Sequence, residues 1–388
     1  MKDRLRWNRR EFVRMAGSSL GAMSFGVPLL ARATRAGDRA APRFAYVGFG
    51  GEGAKEEGIA VFDLRGGRWR PVGVVASAAP SSLALDAAER FLYAMNEVDE
   101  YEGLPSGTVE AYAVDAENGS LRLVNRQRLS LSATAPKHAA VSPDGRALVV
   151  AVHGGGAYNV LPLREDGSVG AVSGILKETG SGPRAEQRSA HPQMVVFDRA
   201  GRVVSADLGN DRLSVLKLGT AKLSVAGRYL VRPGDGPRQI ALHPDGRLLF
   251  VANALDASVA CYRYDADEGR IVGRLGQVGT ASDENTGGVV MAVDPKGEFL
   301  YTAHRRGSDG VSMWRITRST GGLQRLRVVD EDGPRLHEMT ITADGKSLLG
   351  LSREDGGVFG WRVANGQISR GVQLTSLAGP MSMAVKSL

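Results

Sequence analysis

A single cysteine, Cys261, stands in a chain of 388 residues. It excludes an internal disulfide and any cysteine-based metal cluster, and its place in an alternating apolar run makes a buried, inert thiol the expectation. Also missing are a phosphate loop, a G-x-G-x-x-G between a strand and a helix, C-x-x-C and H-E-x-x-H. Their absence removes the usual grounds for a nucleotide or a classical metal site, and neither metal nor cofactor is expected. There is no low-complexity stretch: the 51 glycines and 16 prolines are scattered, as many tight turns require. Two fragments that look catalytic fail in context. "GSSLG" (17–21) matches a nucleophile elbow but lies inside the leader described next, and without an elbow "HGGG" (153–156) is a glycine-rich connection between strands.

Residues 8–33, "NRREFVRMAGSSLGAMSFGVPLLARA", join the paired Arg9 and Arg10 to a short, glycine-containing apolar stretch and a small-residue cleavage site at Ala31-Arg32-Ala33. That pattern is expected of a twin-arginine export signal over 1–33, with a linker over 34–42; an amphipathic basic helix or a membrane anchor is the other reading. The export reading places the mature chain in the periplasm or outside the cell, with no stable membrane insertion once the leader is removed. Residues 1–33 carry seven of the 49 Lys+Arg and two of the 42 Asp+Glu, so without them 42 bases face 40 acids, a net charge of +2. The basic balance belongs largely to the leader, and no nucleic-acid partner is expected.

The remainder is repetitive. Turn phrases "DAAER" (86), "SPDGR" (142), "DRAGR" (198), "HPDGR" (243), "DPKGE" (294) and "TADGK" (342) recur every 45 to 56 residues, a period that marks propellers and other repeat arrays. Each follows a short apolar segment, and a seventh such segment, "PMSMAV" (380–385), comes near the end. Two alternating, β-type runs and a weaker third follow each turn, so each unit is expected to be a four-stranded antiparallel meander, A-B-C-D. The last unit has only its first strand, while "RFAYVGFG" (43–50), "GIAVFDL" (58–64) and "RWRPVGVVA" (68–76) form a set without one. The expected fold is therefore all-β: one domain over 43–388, a seven-bladed β-propeller whose ring is closed by pairing of N- and C-terminal strands. An open β-solenoid is the alternative, and it would leave those end fragments without a reason to complement each other.

In such a meander the turn phrases mark one face, and the starts of A with the ends of B share the other. That second face collects Lys137, His138, His191, Gln193, Arg238, Gln239, Arg335, His337 and Glu338 with Glu97, His153, Asp207, Ala254, Arg305 and Arg353. Of the six histidines only His243 lies elsewhere. Ionisable groups converging on a funnel make a candidate site; a salt-bridge network lining a wet channel is the bland alternative.

Several phrases resemble the lactonase family of seven-bladed propellers, which includes propeller-type 6-phosphogluconolactonase and the fungal carboxymuconate-lactonizing enzyme. They are "LYAMNEV" (92–98), "PKHAAVSPDGR" (136–146), "GGGAYNVLPL" (154–163), "QRSAHPQ" (187–193), "ADLGNDRL" (206–213), "GPRQIALHPDGR" (236–247) and "GPRLHE" (333–338). The resemblance implies hydrolysis of a sugar or carboxylic-acid lactone, with His191 and Arg238 at funnel positions where the family has a histidine and an arginine, and Arg305 matching an arginine in its "SNRG"-like phrase. His191 would be the base, and Arg238 with Arg305 would hold an anion and stabilise the oxyanion. His138, His153, Arg335, His337 and Glu338 would help to bind a small lactone or organic anion. The chain departs from the family where "NALDA" puts Ala254 in place of a glutamate proposed to transfer protons. Asp207, Glu97 and Glu338 are the carboxylates on the right face to replace it. The departure keeps a rival open: a non-catalytic propeller binding a small anion or a protein. Export favours a non-phosphorylated lactone, and the residues say nothing about oligomeric state.

Overall fold

Seven antiparallel sheets follow one another round a closed ring in the computed structural model, which describes residues 41–51, 56–280, 288–306 and 310–387. The expected leader and most of the linker lie outside these residues. The innermost strands are Pro80–Leu85, Pro136–Val141, Pro192–Phe197, Pro237–Leu242, Val289–Val293, Glu338–Ile341 and Pro380–Lys386, and they define blades 1 to 7. Each touches the next, and the seventh returns to the first. Among the described residues no helix is long and apolar enough to cross a membrane.

The ring closes as the repeat requires. Blade 7 joins the last strand to β1 (Phe44–Phe49), β2 (Gly58–Asp63) and β3 (Arg70–Val75). Phe44 lies opposite Lys386 and Val47 opposite Met383 in an antiparallel ladder. This pairing gives β1 an inner neighbour that no nearby segment supplies, and it removes a free edge from the centre of the ring.

Hydrophobic pattern sets the radial order within each blade. Leu248–Asn253 is buried at every position because neighbouring blades cover both its faces, whereas the outer strand Arg270–Gly279 alternates between exposed and half-buried residues. The core is accordingly split into seven layers, one between each pair of adjacent blades. Phe44, Tyr46, Ile59, Leu92 and Tyr112 fill the layer between blades 7 and 1. Each such side chain contributes roughly 1.5–3 kcal/mol on burial, so stability is distributed round the ring.

The recurrent turn phrase has a simple cause. In "SPDGR" the Ser142 carbonyl accepts from Gly145 N at 2.8 Å, and the Asp144 carboxylate accepts from the Ser142 hydroxyl at 2.6 Å and from Arg146 N at 3.1 Å. Gly145 has φ 71°, a left-handed value that glycine adopts without steric cost.

Blade 6 departs from the four-stranded expectation: its outer edge is split into Gln367–Ile368 and Val372–Ser376, both paired with Gly357–Ala364. The break falls where Asp330 reaches in, its carboxylate accepting from Trp361 Nε1 and from Gly371 N at 2.7 Å each. Satisfying a buried indole N–H interrupts the ladder at this point.

Candidate functional site

The inner strands line a channel cavity of about 660 Å3 that runs along the axis from the face opposite the SPDGR-type turns to the turns themselves at Pro244, Pro295 and Ala343. Its wall includes Glu97, Lys137, His138, Gln193, Arg238, Arg305, His337, Glu338 and Arg353. Above it a vestibule of about 460 Å3 shares Arg305, His337 and Arg353 and adds Arg184, Ala254, Arg306 and Arg335. Repetition explains the convergence: Lys137, Gln193, Arg238 and His337 all occupy the second position of an inner strand phrase, and Glu97, His153, Arg305 and Arg353 all follow the last residue of a second strand.

One wall is an excess of cation. Arg238 Nη1 and Arg305 Nε are shielded from solvent without an acceptor. Burial, with repulsion from Arg305 and Arg353, pushes the Arg238 guanidinium down to about 9, an effect that Glu338 and Glu97 only partly offset. Arg305 is lowered by burial and then by Arg353 and Arg306. His337 is pushed down to about 3 by burial, reinforced by Arg353 and Arg305, and is neutral near pH 7. Neither of its ring nitrogens makes a well-formed hydrogen bond, although the Met381 backbone is close enough to favour the charged form. The Arg238, Arg305 and His337 side chains lie deep in the molecule yet remain partly accessible along the channel. Such a wall favours an anion, which a planar guanidinium meets with two parallel hydrogen bonds.

Glu338 faces this wall. Burial pushes its carboxyl up to about 8, against the opposing effects of a Met383 N–H at 3.0 Å and the charges of Arg238 and Arg353. It therefore exchanges a proton near neutral pH, as a general acid or base must. Glu338 also belongs to a ring of inter-blade latches. At the equivalent third position of other inner strands, Gln239 exchanges hydrogen bonds with Met291 N and O at 2.8 and 3.0 Å, Met194 Sδ accepts from Ile240 N at 3.2 Å, and His138 meets the Val195 backbone. Burial pushes His138 down to about 4, so it is a neutral member of that ring.

Of the other predicted residues, His153, His191 and Asp207 do not border the cavity, whereas Glu97 does and Arg335 borders the vestibule. His153 and His191 stack with ring centroids 4.2 Å apart and planes 14° from parallel. His191 Nδ1 is 3.1 Å from the His153 carbonyl oxygen, which fixes the proton on Nδ1 and leaves Nε2 as the basic nitrogen, 3.4 Å from Ser189 Oγ. His153 is pushed down to about 4 by burial and by His191, Lys137 and Arg238, and Gln193 Nε2 meets its Nδ1 at 2.6 Å. His153 and His191 do not border the 660 Å3 cavity; Gln193 connects them to it. Asp207 is buried, its Oδ1 accepting from His191 N at 2.7 Å and Gly209 N at 3.0 Å, and burial raises it to about 6. It holds the backbone that carries His191. Glu97 is bound to Lys137. Arg335 sits at the vestibule rim, paired with Glu354 at 2.6 Å.

Arg353 was legible as a member of the face but stands in none of the family-like phrases, while Lys137 and Gln193 stand in "PKHAAVSPDGR" and "QRSAHPQ" without an expected role. Arg184 could not be found by repetition, because it comes from the connection 178–191, which copies no other blade. The long interval between the turns at 142 and 198 is its only trace. His243, the exception, stays at the far end with Nε2 2.8 Å from the Gly297 carbonyl oxygen. A larger cavity of about 1000 Å3 also lies there, between turns of blades 5 and 6, but its lining interleaves Asp294, Lys296 and Glu298, and none of the predicted site residues borders it.

A family model described as lactonase, 7-bladed β-propeller, matches residues 44–385. The 6-phosphogluconolactonase of Bacillus subtilis strain 168 is 28% identical over 319 residues, covering 80% of this chain and 89% of that protein. The 6-phosphogluconolactonase of Formosa agariphila is 25% identical over 303 residues, 75% of this chain and 84% of the relative. Among solved structures, the periplasmic gluconolactonase of Pseudomonas aeruginosa aligns with a TM-score of 0.80 at 23% identity, over 90% of this chain and 100% of that one. The last comparison concerns the fold alone.

Proposed function

The chain belongs to the lactonase family of seven-bladed β-propellers, and from that premise we propose that it hydrolyses a non-phosphorylated sugar or carboxylic-acid lactone in the central channel. The observation that carries the reading is the wall of Arg238, Arg305 and neutral His337 facing Glu338, a carboxyl raised to about 8. Ionised Glu338 takes a proton from a water as its oxygen bonds to the lactone carbonyl carbon. Arg238 and Arg305 donate to the carbonyl oxygen, where negative charge develops. When the ring C–O bond breaks, Glu338 returns the proton to the leaving alkoxide, and the product is a hydroxy acid that ionises to its carboxylate. Among the three carboxylates on this face, geometry favours Glu338: it borders the cavity, Asp207 does not, and Glu97, which does, is occupied by Lys137. His191, stacked on His153, would shape the opposite wall through Gln193 rather than act as the base.

The export reading of residues 1–33 supports a substrate outside the inner membrane, and the name of the Pseudomonas aeruginosa neighbour agrees with such a location. The rival, a binding propeller without turnover, draws on the same cations and on Ala254. Acid release from a panel of aldonolactones, followed with a pH indicator, separates the two. A rate above that of a Glu338→Gln control supports hydrolysis, and no rate above that control on any lactone leaves binding only.

A further inference from the structure

One inter-blade junction lacks the acceptor on which a latch depends, and it lies in the channel wall. In blade 6, Thr342 N donates to the Ser347 carbonyl at 2.9 Å, and onward from that bond Ile341 pairs with Leu348, Thr340 with Leu349, Met339 with Gly350 and Glu338 with Leu351. Bonded and non-bonded pairs alternate along an antiparallel ladder, so Thr340 and Glu338 bond to the second strand. The N–H and C=O of Met339 therefore point to the free inner edge. Ile240, Met291 and Met383 hold the same fourth position in their inner strand phrases. Their N–H groups are capped by the third residue of the preceding phrase: Met194 Sδ at 3.2 Å, Gln239 Oε1 at 2.8 Å and Glu338 Oε1 at 3.0 Å. For Met339 that residue is Val290, the only one of the seven third residues with no acceptor atom. Among the described residues nothing else accepts from the Met339 N–H. Both Val290 and Met339 border the channel cavity. A shielded N–H without a partner is costly, so a vacant one in a cavity wall is a ready donor to a ligand.

We propose that the Met339 N–H is a catalytic backbone donor to the lactone carbonyl oxygen, kept vacant by Val290. The inference rests on the lactonase reading for the reaction and on the missing latch for the donor. Arg238 and Arg305 bring charge to that oxygen on long, flexible side chains. The Met339 amide is held by the ladder of its own strand, so it needs no reordering as negative charge develops on the oxygen. Because Glu338 and Met339 are consecutive, the general base and this donor are carried by one rigid stretch of backbone. The carbonyl would lie over Val290, whose apolar side chain keeps a competing acceptor away from the N–H.

Val290→Gln tests this by building the missing latch, since Gln239 at the same position one blade earlier exchanges hydrogen bonds with Met291 N and O. The full-length variant should keep or raise its Tm. For an aldonolactone that the unsubstituted chain hydrolyses, kcat should fall about 10²-fold or more while KM changes less than about threefold, as loss of a transition-state donor requires. Val290→Ile adds bulk without an acceptor and should keep kcat within about threefold. Amide hydrogen exchange in the 15N-methionine-labelled chain reads the vacancy without turnover: Met339 should exchange at least about tenfold faster than Met291 and slow in Val290→Gln. Val290→Met, whose sulfur can cap the amide as Met194 caps Ile240, carries the test if Val290→Gln does not fold. A Met339 amide as slow as that of Met291 in the unsubstituted chain overturns the vacancy. A protected amide with unaltered kcat, or an equal loss of kcat in Val290→Ile, overturns the donor role and leaves hydrolysis standing. No turnover of any lactone by the unsubstituted chain removes hydrolysis and the catalytic role with it.

Discussion

Glu338 and Asp207 are both buried acids with raised pKa values, and their surroundings assign them different work. Glu338→Gln keeps an oxygen to accept the Met383 N–H and loses the titrating proton, so the fold should survive while kcat falls by about 10²–10⁴-fold. In the unsubstituted chain kcat/KM should climb with pH through about 8, because ionised Glu338 is the active form, and fall again above about 9 as Arg238 loses its charge. A rate that is flat between pH 6 and 9 would remove Glu338 from the proposed mechanism. Asp207 predicts a stability effect instead. Its folded value, about 6, lies above the usual carboxylate value, so the folded state holds a proton that the unfolded state releases. Stability is greatest below pH 3.8 with respect to this group and is lost as pH rises through about 6. Asp207→Asn should therefore gain on the parent across that window, by on the order of 2–3 kcal/mol at pH 8 relative to pH 4, in denaturant unfolding followed at both. Sequence placed both acids on one face and did not distinguish them. Whether a carboxylate borders the channel near arginine charges, as Glu338 does, or holds two backbone amides away from it, as Asp207 does, is a matter of local placement that periodicity does not encode.

At the scale of strands and blades, most of the fold was legible because the same hydrophobic phrase had to be written once per blade. The expected inner segments match observed inner strands from Pro80–Leu85 to Pro380–Lys386, and the unmatched terminal fragments do complete one blade. Two features were not legible. The outer edge of blade 6 is divided because Asp330 reaches across from the preceding connection, a contact between segments with no shared pattern. The latches at the third position of several inner strands were also hidden, since Met194, Gln239 and Glu338 share no chemistry beyond an atom that can accept an N–H. The closing strand offers the sharpest test at this scale. Removing residues 380–388 strips β1 of the ladder from Phe44 to Phe49 and exposes the layer holding Met383 and Leu351. The shortened chain should aggregate or lose its cooperative thermal transition, and a synthetic peptide of residues 378–388 should restore part of it in calorimetry.

For the molecule as a whole, charge and location are linked. Without residues 1–33 the balance is close to neutral, so the positive potential is concentrated in the funnel and vestibule, where it can draw an anion into the mouth. Raising ionic strength from about 0.05 to 0.5 M should weaken acid binding several-fold, while an uncharged sugar should show no such dependence. The leader makes a separate prediction. Replacing Arg9 and Arg10 by Lys should retain the chain in the cytoplasm, as read by fractionation; unchanged periplasmic recovery would end the twin-arginine reading.

The ladder between β1 and the last strand has a consequence for how the molecule is made. Ser382 donates to the Pro80 carbonyl at 2.6 Å across a sequence separation of 302 residues, and Phe44 waits still longer for Lys386. While the ribosome is at work the earliest strands can stack only sideways, with no neighbour toward the axis. Ring closure thus waits until residues 380–386 have left the ribosome and has a long loop to close, and chaperones that shield an incomplete blade should act on this chain until that segment emerges.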